Sequence, residues 1–409
     1  MNISSAHKLR GVAAGLLVAG LGLATLTGCG GGGSSPNTTQ TGDTAQATGP
    51  IKIGVNYEQS GAVATYGQDS VDGINMAIDE VNAAGGVNGR QVQLITYDTK
   101  SDPAEALTLA TKLMTQDKVL AILGPATSGS FTATIPAANQ YKVPVISGSA
   151  TADTVTVDSS GNVQPFAFRT CFSDSLQGTA AANYALNTLN AKNAVIIKDN
   201  SSDYGKGLAD NFTAAFTAGG GNIVDQEAYV SGDTDFNAIL TRVRGMQFDM
   251  IYLPGYYNEA GLIIKAARDL GINQPVVGPD GFDSPDLLSL AGASALNNVF
   301  FTNHYSSLDQ SDKVQSFITA FKAKFNKEPS AFNALGYDTA NFVVDAIKRA
   351  SASGDLTGET VQAALAATKD FPAVTGTFSV DANHNAVKQI IMISLKDGVQ
   401  DTAVPVTTG

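Results

Sequence analysis

Short runs of β-branched and other apolar residues alternate along most of the chain with longer stretches in which the apolar positions recur at helical spacing. The spacing predicts strands at 51–57, 91–98 and 119–123, each followed by a helix, after Tyr66, from Pro103 and from Ser128, with a further strand at 143–147. In the first of these helices Val71, Ile74, Met76, Ala77, Ile78 and Val81 share a face, and Gly85-Gly86 stops it as a C-terminal glycine does. Those positions are candidate core. A second set starts after Arg169, with strands at 194–198, 223–229, 250–253 and 275–278 and helices from Tyr204, near Phe236, near Glu259 and near Pro285. From about 304 the pattern returns to helices, at 313–325, 337–350 and 359–367, and closes on strand-like runs at 375–380 and 388–395. Alternation of this kind predicts α/β units with mostly parallel sheets. A chain of 409 residues exceeds what one core usually serves, so two lobes are expected, and the late helices and strands imply that the chain crosses between them more than once.

The N-terminus breaks this rhythm. His7, Lys8 and Arg10 precede an apolar run at 12–26, which is the make-up of an export signal. The run is shorter than the roughly 20 apolar residues a membrane-spanning helix needs. It closes on Leu26-Thr27-Gly28-Cys29, which resembles a bacterial lipobox; that resemblance implies removal of 1–28 and a lipid anchor on Cys29. Residues 29–50, rich in Gly, Ser, Thr, Asn and Gln, hold too little apolar surface to offset ordering entropy and are predicted to be a flexible tether.

The formal net charge of −12 argues against nucleic acid as a partner. With Cys29 lipidated, Cys171 has no thiol to pair with and reads as a small buried hydrophobe. Beyond the export signal only His304 and His384 remain, in no metal-ligand spacing, and no Gly-x-Ser-x-Gly elbow or phosphate-binding loop occurs. No catalytic residue, metal or cofactor is therefore expected. The acidic stretch 381–385 reads as a hairpin turn in preference to a calcium loop.

Two segments offer binding chemistry. Leu123-Gly-Pro-Ala-Thr-Ser128 ends a strand and opens a helix, so Ser128 lies beside free backbone N–H groups at a positive helix end. That suits a carboxylate, and equally a plain cap. One strand later, Ser149, Ala150 and Thr151 place small polar groups at the C-terminal edge of a parallel sheet, where ligands of open α/β sheets bind.

These segments, together with Ile51-Lys-Ile-Gly-Val, Ser60-Gly61, Tyr66-Gly67, Val81-Asn-Ala-Ala-Gly-Gly-Val-Asn-Gly89, Tyr97-Asp98, Tyr204-Gly-Lys-Gly207 and Gly278-Pro-Asp-Gly281, resemble the branched-chain amino-acid binding proteins of ABC importers, over about 51–395. The resemblance implies the type I periplasmic-binding fold, two Rossmann-like lobes joined by a multi-strand hinge. The lobes it implies are 51–171 with 304–375, and 172–303 with 376–404. It implies an extracytoplasmic, monomeric solute-binding protein that closes around an amino acid, serves a membrane permease and has no enzymatic activity. Ser128 and Thr151 would meet the ligand carboxylate, Ser149, Thr151 and Asp280 the ammonium, while Ala150 adds a backbone contact and Tyr66, Tyr204, Tyr256 and Phe332 surround the ligand with apolar faces and a few hydroxyls. Leucine-type members carry Glu where this chain has Asp280, and a cysteine pair where it has Ser101 and Thr127. Ligands of other members of the fold, namely amides, urea and organic acids, are the alternative, as is a sensory or adaptor lipoprotein with the same clamp.

Overall fold

The β-branched runs assemble into two sheets in the computed structural model, which describes residues 49–407; Cys29, the export segment and nearly all of the tether lie outside those residues. The first part of the chain runs β1 Ile51–Tyr57, α1 Ala64–Ala83, β2 Val92–Asp98, α2 Pro103–Lys112, β3 Ile122–Leu123, α3 Ser128–Tyr141, β4 Val145–Ser147 and β5 Ala167–Arg169. These five strands form an all-parallel sheet in the order β2-β1-β3-β4-β5. The order reverses direction at β1, so a crevice opens beyond the C-terminal ends of β1 and β3.

The chain continues with α4 Asp174–Asn187, β6 Asn193–Asp199, α5 Asp203–Ala218, β7 Asn222–Tyr229, α6 Asn237–Arg244, β8 Met250–Tyr252, α7 Tyr257–Asp269, β9 Val276–Gly278, α8 Pro285–Ala291 and β10 Val299–Asn303. Then come α9 Asp312–Phe325, α10 Ala331–Ser353, α11 Gly358–Ala366, the hairpin β11 Ser379–Val380 and β12 Ala386–Val387, and finally β13 Ile390–Lys396 and β14 Val399–Val406. The second sheet has the order β14-β13-β10-β9-β8-β6-β7, with β13 antiparallel to both of its neighbours, β10 and β14, and the other pairs parallel. Here the reversal falls at β6, beside β8. No described helix is long and apolar enough to cross a membrane.

α10 returns to the first sheet and packs along α1. The crossing is close because Gly73 faces the Asn333 carbonyl and Gly336 faces the Ser70 carbonyl, leaving no room for a Cβ at either position. It sets the first turn of α10 against the first turn of α1, which brings Phe332 onto Tyr66.

Several sequence expectations need correction. The run at 375–380 is extended only at Ser379–Val380, because Gly376 adopts φ +105° and the Val374 and Thr375 N–H groups go to the Asp338 side chain instead of to a ladder. Residues 381–385, by contrast, are the hairpin turn expected of them, with Asp381 Oδ1 accepting from the Asn383 and Asn385 N–H groups. The helix expected from 337 begins earlier, at Ala331, after the capping Ser330. α4, β10 and β14 had no counterpart in the pattern. α4 is buried largely through alanines, and β14 is a largely exposed edge strand that accommodates Pro405.

Candidate functional site

The two sheet reversals face each other, and the loops that leave them enclose one cavity with an empty volume of about 230 Å3. From the first sheet come Ala126, Thr127 and Ser128 after β3, Ser149 after β4, Tyr66 and Phe332; from the second come Tyr204 after β6, Tyr256 after β8, and Asp280 with Gly281 after β9. Seven of the nine ligand contacts expected from the sequence line this space. Ala150 and Thr151 do not: both are fully buried behind it. The Thr151 carbonyl is taken by the Arg169 guanidinium at 2.7 Å and the Asp174 N–H at 2.8 Å.

On the first-sheet side, the loop before α3 is held by a residue the sequence reading passed over. The fully buried Glu58 carboxylate accepts from the Ala126 N–H at 2.9 Å, the Thr127 N–H at 3.0 Å and the Thr127 hydroxyl at 2.7 Å. Thr127, the N-cap residue, consequently makes no side-chain cap of its own helix. The first-turn N–H groups of α3 have no acceptor within the helix and lie at its positive end. Burial raises the Glu58 carboxyl above its usual range, with the three donors opposing.

The two serines differ in what they can offer. Ser128 Oγ accepts from the Ala152 N–H at 3.1 Å, so its own proton is free to be donated into the cavity. Ser149 Oγ donates to the Ala126 carbonyl at 3.0 Å, so only its lone pairs remain. Ser128 with the α3 N-terminus thus suits an anion, and Ser149 suits a donor.

Across the cavity Asp280 is buried, and each of its carboxylate oxygens is held: Oδ1 by the Tyr204 hydroxyl at 2.5 Å and Oδ2 by His304 Nε2 at 3.2 Å. Its backbone N–H donates to Gln177 Oε1 at 2.7 Å, which also accepts from the Thr302 hydroxyl at 2.5 Å. Burial pushes the Tyr66, Tyr204 and Tyr256 hydroxyls well above 10, so they act as neutral donors. Burial lowers His304 to about 4 against the opposing bond to Asp280, leaving it neutral at ordinary pH. Asp174, behind Thr151, is held well above the usual carboxylate range by burial.

Aromatic rings form the rest of the wall. Tyr66 stacks on Phe332 at 4.2 Å and meets Tyr256 edge-on at 5.8 Å, while Tyr204 stacks on Tyr256 at 5.0 Å. The Tyr66 hydroxyl donates across the cavity to the Gly281 carbonyl. A Cβ at Gly281 would lie 3.0 Å from both the Gly255 carbonyl and the Tyr204 hydroxyl, so this position must be small. Among the described residues no group of His, Cys, Asp and Glu is placed to hold a metal. Cys171 is buried, with its thiol directed at the Ala150 carbonyl at 3.4 Å and pushed up by burial to about 12, which leaves it inert.

A cavity closed between the C-terminal edges of two α/β sheets, with an anion end, a cation end and an aromatic middle, is built to hold a solute. The chain belongs to the periplasmic binding protein family, whose model matches residues 50–400. It is 32% identical to the Leu/Ile/Val-binding protein BraC3 of Rhizobium johnstonii over 326 residues, which is 80% of this chain and 86% of that protein. Among solved structures it is similar to the branched-chain amino acid transporter substrate-binding protein LivJ of Streptococcus pneumoniae in complex with isoleucine, with TM-score 0.82 and 44% identity over 87% of this chain and 99% of that one. It is also similar to the leucine-binding protein LivK of Thermotoga maritima, with TM-score 0.80 and 33% identity over 87% of this chain and 98% of that one. The family is one of substrate-binding proteins and not of enzymes.

Proposed function

We propose that this chain captures an amino acid with a branched or otherwise apolar side chain outside the cell membrane and presents it to the permease of an ABC importer. The observation that carries this is the opposed chemistry of the two ends of one small cavity. The free Ser128 proton and the α3 N-terminus answer a carboxylate; Asp280 and the lone pairs of Ser149 answer an ammonium. Between them the rings of Tyr66, Tyr256 and Phe332 offer apolar faces to a side chain. The isoleucine complex of the pneumococcal relative supports this class of ligand.

Capture would proceed by closure of two lobes, 51–171 with 304–375 against 172–303 with 376–404. The ligand is held first at Ser128 and Ser149 and then contacted by Tyr204, Tyr256 and Asp280. Leu26-Thr27-Gly28-Cys29 supports a lipid anchor on Cys29, and the mass of the N-terminal peptide of the exported protein checks it.

Calorimetry with isoleucine, with the same molecule lacking its amino group and with the same molecule lacking its carboxyl tests the reading. Each truncated ligand is expected to bind about 10-fold or more weakly, because a buried group left without its charged partner costs about 1.5 to 3 kcal/mol. Equal affinity for all three would sink it.

A further inference from the structure

His304 does not line the cavity, yet it meets the residue that faces the ligand ammonium. β9 and β10 are parallel, with Phe301 opposite Gly278, so just past the ends of the two strands His304 meets Asp280, which lies in the turn after β9. The imidazole lies flat on Phe172, centroid to centroid 3.6 Å with planes 18° apart, and only 1% of the side chain is exposed. Nδ1 has no hydrogen-bond partner and Nε2 lies 3.2 Å from Asp280 Oδ2, so the proton of a neutral imidazole belongs on Nε2.

We propose that His304 is a positioning residue: its Nε2–H, together with the Tyr204 hydroxyl, locks the rotation of the Asp280 carboxylate and so sets affinity for the ligand ammonium without touching the ligand. The inference rests on the amino-acid reading given above.

A carboxylate pinned by one donor can swing about its last torsion, whereas one held at both oxygens by two rigid aromatic donors is pre-organised for a third partner. The neutrality of both donors matters equally. A lysine or arginine at 304 would pair with Asp280 and compete with the ammonium, whereas a neutral imidazole and a phenol leave the carboxylate charge uncompensated for the ligand. The surroundings keep the ring neutral: burial is the largest influence, the Lys388 cation works in the same direction, and Asp280 opposes both. The other ionisable groups around Asp280 are Asp174 on α4, Asp283 just after it, Cys171, and the phenols of Tyr66, Tyr204, Tyr252 and Tyr256.

Calorimetric titration of wild type, His304→Phe and His304→Gln with leucine and with 4-methylpentanoate, which is leucine without its amino group, tests this. Phe keeps the stack on Phe172 and loses the donor; leucine binding is expected to weaken about 10-fold or more while 4-methylpentanoate binding stays within about 2-fold, since a hydrogen bond to a charged group is at stake. Gln carries an amide N–H at nearly the same reach and should recover most of the leucine affinity. Equal weakening for both ligands, no weakening for either, or a Gln variant as weak as the Phe variant would overturn the assignment. If the Phe variant does not fold, His304→Asn, whose amide is too short to reach Asp280, replaces it with the same expectations. Wild type that binds neither leucine nor any other amino acid overturns the amino-acid reading and this inference with it; wild type that binds leucine, with His304→Phe binding it equally well, overturns this inference alone.

Discussion

At the residue scale, His304 links binding to acid stability. In the unfolded chain its imidazole takes a proton as pH falls through about 6.5, while in the folded protein burial holds it neutral until about 4. Between those values the unfolded state binds more protons, so this group's contribution to stability falls with the pH and is fully present only above about 6.5. The buried carboxyls of Glu58, Asp174, Asp283 and Asp338, all raised by burial, work in the opposite sense: their ionisation disfavours the fold as pH rises above the usual carboxylate range. The total pH profile thus mixes signs, but the difference between wild type and His304→Gln isolates the imidazole. Urea denaturation at pH 7 and pH 4.5 is expected to show wild type losing about 2 to 3 kcal/mol relative to the variant over that span, because pH 4.5 lies about 2 pH units below the unfolded midpoint and each is worth about 1.36 kcal/mol. A difference that stays constant with pH would mean that His304 is not held neutral.

At the scale of elements, two glycines decide how the aromatic wall is assembled. Alanine is the better helix former by about 1 kcal/mol, so on propensity alone Gly73→Ala in the middle of α1 should stabilise. The Cβ would run into the Asn333 carbonyl of α10, which is backbone and cannot turn aside, and overpacking costs about 1 to 3 kcal/mol. Packing wins: the variant is expected to be less stable in urea and to bind ligand more weakly, because parting α1 from α10 unstacks Tyr66 from Phe332. Neither glycine meant anything as a sequence feature, since nothing local says which helix will press on which. The same holds for Glu58, whose role depends on the β3–α3 loop folding over it, and for His304, which in the sequence was only one of two isolated histidines. Ser128 and Ser149 were legible because each comes shortly after a strand of a parallel sheet, and strand ends are where open sheets bind, whereas Tyr204, Tyr256 and Asp280 were implied only by the family resemblance. Ala150 and Thr151 follow the same strand end as Ser149, but the turn carries them inward, Ala150 onto Cys171 and Thr151 onto Arg169 and Asp174. β10 was missed because its polar end, Thr302 and Asn303, breaks the apolar pattern in order to bond Gln177 and Asp283.

At the scale of the whole molecule, the rim of the cavity is tied by side chains that never reach the ligand site. The Thr65 hydroxyl donates to Asp286 Oδ2 at 2.8 Å and lies 2.9 Å from the Tyr257 hydroxyl, while Asn258 Nδ2 donates to the Ala62 carbonyl at 2.7 Å. Deeper in, Asp283 Oδ2 accepts from the Ala331 N–H at 2.9 Å, so a carboxylate from the second-sheet side sits on the first turn of α10. All of these bonds join residues on opposite sides of the cavity, and under the closure proposed above they would form as it closes and bias that equilibrium. Apparent affinity scales with the fraction of molecules in the closed form, and each exposed hydrogen bond contributes about 0.5 to 1.5 kcal/mol. Thr65→Val combined with Asn258→Ala is therefore expected to weaken amino-acid binding by about 5- to 50-fold, through faster dissociation more than slower association. Small-angle scattering should find the ligand-free variant more open than wild type and the two alike once saturated with isoleucine, because the ligand makes the same contacts in both. Unchanged dissociation rates would show that the rim bonds follow closure without driving it, and would leave the cavity contacts of Asp280, Ser128 and the tyrosines as its sole source.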